Sequence, residues 1–200
     1  MVDLTKPAHL VAPRLLGAHL TSLVGGVRVA VRITEVEAYA GQGVDPGSHA
    51  FRGQTPRTEV MFGPAGHAYV YFTYGMHWCC NIVTGQVGEA GAVLIRAGEI
   101  VEGLEQARER RATAKRDREL AQGPARLTKA LGIDGTLNGV DVFASGSELQ
   151  LEFAQVPSTS FGVSARTGVG GAGAATPWRF FLTKDPTVSR YAPARRFARG

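Results

Sequence analysis

The chain has 200 residues, a formal net charge of +5 and a sequence pI near 9.6, with ordinary apolar and charged fractions. That length suits one globular domain with a substantial core, and the basic balance suggests a polyanionic partner without bearing on the fold. No stretch approaches the roughly twenty apolar residues of a membrane span. The two cysteines, Cys79 and Cys80, are adjacent and outside any C-x-x-C spacing, which argues against a zinc site or a disulfide framework.

In chain order, the N-terminus carries no basic region followed by an apolar run, so a cytoplasmic location is expected. Residues Pro7 to Leu20 read as a helix that Pro13 would start or kink, with Leu10, Val11, Leu15 and Leu16 on one face. Gly25-Gly26 turns the chain into the strand Val27 to Tyr39. In that strand Val27, Val29, Val31 and Ile33 alternate with Arg28, Ala30, Arg32 and Thr34, the period of a half-buried strand. The valine parity runs on into Glu35, Glu37 and Tyr39, so the core face is expected to end in two carboxylates and a ring. A buried carboxylate is costly unless paired, hydrogen-bonded or working, which makes this strand end a site candidate; a solvated strand end is the plainer reading.

Residues 41–66 form a loop rich in glycine and proline, with His49, Arg52 and Arg57 in it. The next block, 67–83, holds two aromatic runs broken by Tyr74-Gly75 and reads as a β-hairpin. Tyr74 and Met76 flank its tip; either another element covers them, or they form a wedge that enters a base stack. A strand over Ala92–Ala97 ends near Arg96. The charged stretch 100–122 reads as a solvated or partly disordered helix, and Pro124 opens a better one. Residues 135–153 read as short strands. Gly168, Gly170 and Gly173 match G-x-G-x-x-G, but Pro177 and a strand-like WRFFLT follow where a dinucleotide site needs a helix. No cofactor and no metal are expected, and residues 190–200, with Arg190, Arg195, Arg196 and Arg199, read as a loose basic tail.

Taken together, Thr34-Glu35-Val36-Glu37-Ala38-Tyr39, His49, Gln54-Thr55-Pro56-Arg57, Met61-Phe62, Tyr69 through Met76, Asn81-Ile82 and Val93 through Ala97 occur in an order that resembles the alkyladenine (3-methyladenine, methylpurine) DNA glycosylase family. The resemblance spans nearly the whole chain. It implies a single mixed α/β (α+β) domain over residues 1–200: a curved antiparallel sheet, surrounding helices and a protruding hairpin. It also implies removal of alkylated or deaminated purines from double-stranded DNA by a monomer. In a bacterium that protein would be nucleoid-associated.

Residue by residue, Glu37 matches the family's general base and Arg96 a residue that helps position the attacking water. Tyr39, His49 and Tyr71 match residues that line and stack on the flipped base, and Asn81 one that clashes with the guanine amine. Tyr74 matches the intercalating tyrosine, with Tyr69 and Met76 in the same hairpin near DNA, and Arg57 is expected to contact phosphate. His77 and Gly171 depart from some relatives, which have an aromatic and a histidine there. With no lysine near these motifs, a lyase step is not expected. A non-enzymatic protein that flips and shields lesions is the alternative, but it would not need Glu37. A zinc deaminase would need H-x-E and P-C-x-x-C motifs that this sequence lacks.

Overall fold

The computed structural model describes residues 2–155 and 160–194. Eight strands build one sheet: β1 (His19–Ser22), β2 (Val29–Ala40), β3 (Ala68–Thr73), β4 (His77–Val83), β5 (Gly91–Glu102), β6 (Leu149–Glu152), β7 (Phe161–Ser164) and β8 (Arg179–Leu182). Their order is β3-β4-β5-β2-β1-β6, and every pairing is antiparallel. β2 organises the sheet. One of its edges pairs with β5 along nearly its whole length; the other pairs first with β1 and then, from Glu35 to Glu37, with β8. Two partners sharing one edge curl the sheet around its central strand.

The two faces of this sheet carry different cores. On one face α1 (Ala8–Val11) and the 3-10 turn after it pack with α3 (Pro124–Leu131) and, through Ala107, α2 (Leu104–Arg110). Here Leu15, Leu16, Leu127 and Leu131 meet Val31, Ile33, Ile82 and Ile95, all fully buried. On the other face a smaller cluster of Ala50, Met61, Tyr69, Val83 and Ala92 lies under residues 41–66. The alternation of β3 divides it between them, with Ala68 and Val70 in the first core and Tyr69 in the second.

The expected parity of β2 changes partway along. Core positions run Val29, Val31, Ile33 and then Val36, Ala38, because the register with β5 shifts on both sides of Glu35. A bulge of this kind reverses which side chains face which way. The strand that begins by burying odd positions in the main core thus turns Glu37 and Tyr39 to the opposite face. Gly98 of β5 makes the irregularity possible, since a Cβ there would come within 2.8 Å of the Arg32 carbonyl.

Other expectations need correction. Val27 lies outside β2 and is exposed. The N-terminal helix is one short turn continued by a 3-10 turn containing Pro13, and residues from His19 enter β1, where the partner strand satisfies their backbone. Leu10 points outward. β5 runs on to Glu102, so the charged segment yields only the seven-residue α2 and a 3-10 turn. Residues 135–153 hold a single strand, β6. The hairpin of 67–83 and the helix opened by Pro124 stand as expected. No helix among the described residues is long and apolar enough to cross a membrane.

Leu127 anchors α3 on the sheet, so Leu127→Ala should destabilise the protein by about 2–5 kcal/mol, the cost of a core cavity. A urea midpoint equal to wild type would contradict this packing.

Candidate active site

The carboxylates of β2 sit fully buried in a shared ionic network. Glu35 Oε1 accepts Arg96 Nε at 2.7 Å, Arg179 Nε at 2.7 Å and the Ser189 hydroxyl at 2.9 Å, while its Oε2 accepts the Ser189 N–H at 2.7 Å. Glu37 Oε2 accepts Arg96 Nη1 at 3.1 Å and the Tyr39 hydroxyl at 2.9 Å, and its Oε1 accepts the Thr167 N–H at 2.6 Å. A carboxylate offers about four lone-pair positions. Glu35 accepts four protein donors, three of them crowded on Oε1; Glu37 accepts three, two on Oε2 and one on Oε1. Two arginines balance the two carboxylates, so neither charge is left uncompensated.

The electrostatics follow from this wiring. Burial alone would raise the Glu35 carboxyl, but Arg96, Arg179 and Ser189 outweigh it and hold the group below its usual range. Burial and the adjacent Glu37 push the Tyr39 phenol well above its ordinary value, so it stays a donor. Arg96 is kept charged against burial by Glu37 and Glu35.

A second buried pair braces this strand end. Arg166, fully buried, donates to both carboxylate oxygens of Asp45 at 2.6 Å and to the Ala38 carbonyl at 2.9 Å. Its guanidinium lies over the Tyr39 ring at 4.6 Å and near Trp178 at 5.4 Å. Gly47 is required beside it, since a Cβ there would meet Arg166 Nη2 at 2.7 Å. Arg166 leads directly into Thr167, and so into the glycine-rich loop. That loop follows β7 and forms a 3-10 turn over Gly171–Gly173 before β8, with no helix of the dinucleotide-binding kind.

Above the network opens a cleft of about 440 Å³, within the range of small-molecule sites (roughly 300–1,000 Å³). Tyr39, His49, Tyr69, Tyr71, Asn81 and Arg96 all line it, and Gly168 to Gly170 form one wall. Glu37 is bonded to two of these, Tyr39 and Arg96, from behind. His49 and Tyr71 meet edge to face at 4.7 Å, and the Asn81 amide donates to the Tyr69 carbonyl at 2.9 Å. Tyr74, 86% exposed, stands at the cleft rim with a left-handed φ of 51°, followed by Gly75 at 65°. Among the described residues no element covers the tip. Met76 is also exposed but lies outside the lining, as does Arg57, whose guanidinium sits 5.2 Å over the Tyr71 ring and donates to the Phe72 carbonyl at 3.2 Å.

Sequence reasoning missed Asp45, Arg166, Thr167, Arg179 and Ser189. Each is remote in the chain from the carboxylate or ring it serves, and no spacing links them. The tail is also less loose than expected up to residue 194: the Ala192 carbonyl accepts the Gly168 N–H. Arg195, Arg196 and Arg199 lie outside the described residues. No cluster of metal-ligating side chains occurs among those described.

Glu35 gives a pH signature. Its folded-state pKa lies below the unfolded one, so its stabilisation is complete above about pH 4.3 and is lost as the pH falls through the folded value. Glu35→Gln should cost about 3–5 kcal/mol at neutral pH, as expected for a broken buried pair. The gap to wild type should narrow in acid. Urea denaturation at several pH values would measure both, and a pH-independent gap would refute the assignment.

The sequence profile of the methylpurine-DNA glycosylase (MPG) family matches residues 3–186. A provisionally named 3-methyladenine DNA glycosylase of Streptomyces avermitilis is 52% identical over 196 residues, covering 96% of this chain and 92% of its own length. Proteins with the same provisional name from Leifsonia xyli subsp. xyli and Nocardia farcinica are 52% and 48% identical, covering 90% and 92% of this chain and 86% and 87% of their own lengths. A profile match over nearly all of the chain, and relatives of this similarity over most of their length, show that the chain belongs to the methylpurine-DNA glycosylase family.

Proposed function

We propose that the protein is a monofunctional DNA glycosylase of base excision repair, acting on alkylated or deaminated purines such as 3-methyladenine in duplex DNA. Glu37 activates a water that displaces the base, leaving an abasic site. The observation that carries this reading is that all three donors to Glu37, from Tyr39, Arg96 and Thr167, belong to residues lining the cleft, whereas of Glu35's partners only Arg96 does. A general base has to reach its water, and Glu37 is the carboxylate held by the walls of the cleft, with Oε1 accepting a single protein donor. Arg96 and Tyr39 hold the other oxygen, which fixes the direction in which Oε1 points.

Breaking the N-glycosidic bond builds positive charge on the sugar, and a fixed carboxylate stabilises that charge as well as polarising the water. Sugar glycosidases need a second carboxylic acid to protonate a poor leaving group. A base such as 3-methyladenine is already cationic on the nucleoside and leaves without that help. This agrees with a site whose second carboxylate is spent on arginines.

The hairpin supplies the extrusion. Unstacking a nucleotide costs a few kcal/mol, least for a damaged pair. The exposed Tyr74 ring fills the gap it leaves, with Met76 beside it, while Tyr39, His49 and Tyr71 receive the base and Asn81 rejects the guanine amine. Stacking returns roughly 1–3 kcal/mol per base.

Glu37→Gln should lower single-turnover excision by about 10²–10⁴-fold while retaining lesion-DNA binding. Unchanged excision would sink the proposal. Tyr74→Ala should weaken lesion-duplex binding by about 1–3 kcal/mol, yet leave excision near wild type where the base already lies unpaired. Equal losses on paired and unpaired substrates would remove the tyrosine from base extrusion.

A further inference from the structure

Glu35 is fully buried and does not line the cleft, yet Arg96 approaches it more closely than it approaches Glu37. The Arg96 guanidinium gives Nε to Glu35 Oε1 at 2.7 Å and Nη1 to Glu37 Oε2 at 3.1 Å. Its Nη2 donates to no described residue. Glu35 is itself fixed by Arg179 Nε and by the N–H and hydroxyl of Ser189. That serine is tied in turn, its carbonyl accepting Arg179 Nη2 at 2.9 Å. The residues before it are pinned to β2, Thr187 to Thr34 at 2.8 Å and Asp185 to Arg32 at 2.9 Å.

Left with a single carboxylate, a guanidinium pairs through two nitrogens with both oxygens, the fork that its planar geometry favours. On Glu37 that fork would bring a second Arg96 nitrogen onto Oε1, which now accepts only the Thr167 N–H and which the attacking water needs. We infer that Glu35 is a positioning residue: by engaging Arg96 through Nε, it limits that arginine to one oxygen of Glu37 and keeps the other available to water. The inference rests on the glycosylase reading and goes further, giving the second carboxylate a purpose in the reaction.

The energetics argue the same way. A buried ion pair adds little stability over apolar side chains of similar volume, so folding alone does not account for Glu35 and Arg179. Glu35 remains a carboxylate against its burial because Arg96, and then Arg179 and Ser189, hold it below its usual range. Only the ionised form competes with Glu37 for a guanidinium.

The test uses the full-length protein and separates folding from chemistry. Glu35→Gln removes the charge but leaves Arg179 buried without its partner. In Glu35→Met/Arg179→Met both charges go, and replacing a buried pair on both sides costs little or no stability. Both variants should slow single-turnover release of 3-methyladenine from methylated duplex DNA by at least about ten-fold, and by no more than the roughly 10²–10⁴-fold expected of Glu37→Gln. Lesion-duplex affinity should stay within about two-fold of wild type, since the loss lies in the chemical step. Adding Arg96→Lys to the double variant should raise its rate, because an ammonium is a point charge that cannot fork, although the same change slows the wild-type protein. A double variant as fast as wild type, or one slowed further by Arg96→Lys, would overturn the inference.

Crystal structures of both variants give a readout independent of turnover. Arg96 should approach both Glu37 oxygens, at about 2.7–2.9 Å as in other fork pairs, where the wild-type residue contacts one. A single contact retained in both variants would overturn the inference. If wild type released no lesion base, the glycosylase reading would fall, while the Arg96 geometry would still decide whether Glu35 restrains it.

Discussion

Arg96 is the constraint on which the site depends. One guanidinium on β5 joins both carboxylates of β2, taking Glu35 on Nε and Glu37 on Nη1. Without that bridge the two negative charges, both inaccessible to solvent, would repel each other in a low-dielectric interior. With it, and with Arg179 also on Glu35, that carboxyl is held below its usual range, and the geometry of the pair is set by donors at fixed angles. The price of burying four charges is substantial, and the return is a carboxylate whose oxygens are aimed by their surroundings.

The fold supplies this arrangement by giving its sheet two faces. Helices and aliphatic side chains fill one face; on the other, loops and aromatic rings leave a cleft. The bulge at Glu35 moves β2 from one regime to the other, since it turns Glu37 and Tyr39 away from the leucine core without breaking the strand. Pairing with β8 at the same level brings Arg179 to Glu35, and the loop before β8 brings Thr167 to Glu37. Backbone pairing thus brings Arg96 and Arg179 alongside the carboxylates of β2.

The sequence made legible the features that depend on local pattern. The hairpin of 67–83 could be read from two aromatic runs about a glycine, and the helix at 124 from a proline in its first turn. Of the cleft's lining, Tyr39, His49, Tyr69, Tyr71, Tyr74, Asn81 and Arg96 followed from several separated motifs in order. Features that depend on tertiary partners were hidden. The parity switch in β2 leaves no mark in VRVAVRITEVEAY, because valine and isoleucine suit either face. Nor could Arg166 be matched with Asp45, or Ser189 with Glu35, since each pair is joined across more than a hundred residues by pairing that local periodicity does not encode. The charged stretch after Ile100 misled because charge in a helix and charge at the end of an edge-exposed strand look alike in composition.

The dependence of Glu35 on Ser189 has a consequence for the birth of the protein. Most of the cleft's lining is encoded before residue 130, yet the donors that complete the ionic network come from Thr167, Arg179 and Ser189. A nascent chain with the sheet partly assembled has its two carboxylates and only one of the arginines that hold them. The ionic network is therefore complete only once Ser189 has left the ribosome, and a fragment truncated before Arg179 carries most residues of the cleft without all the donors that hold its carboxylates.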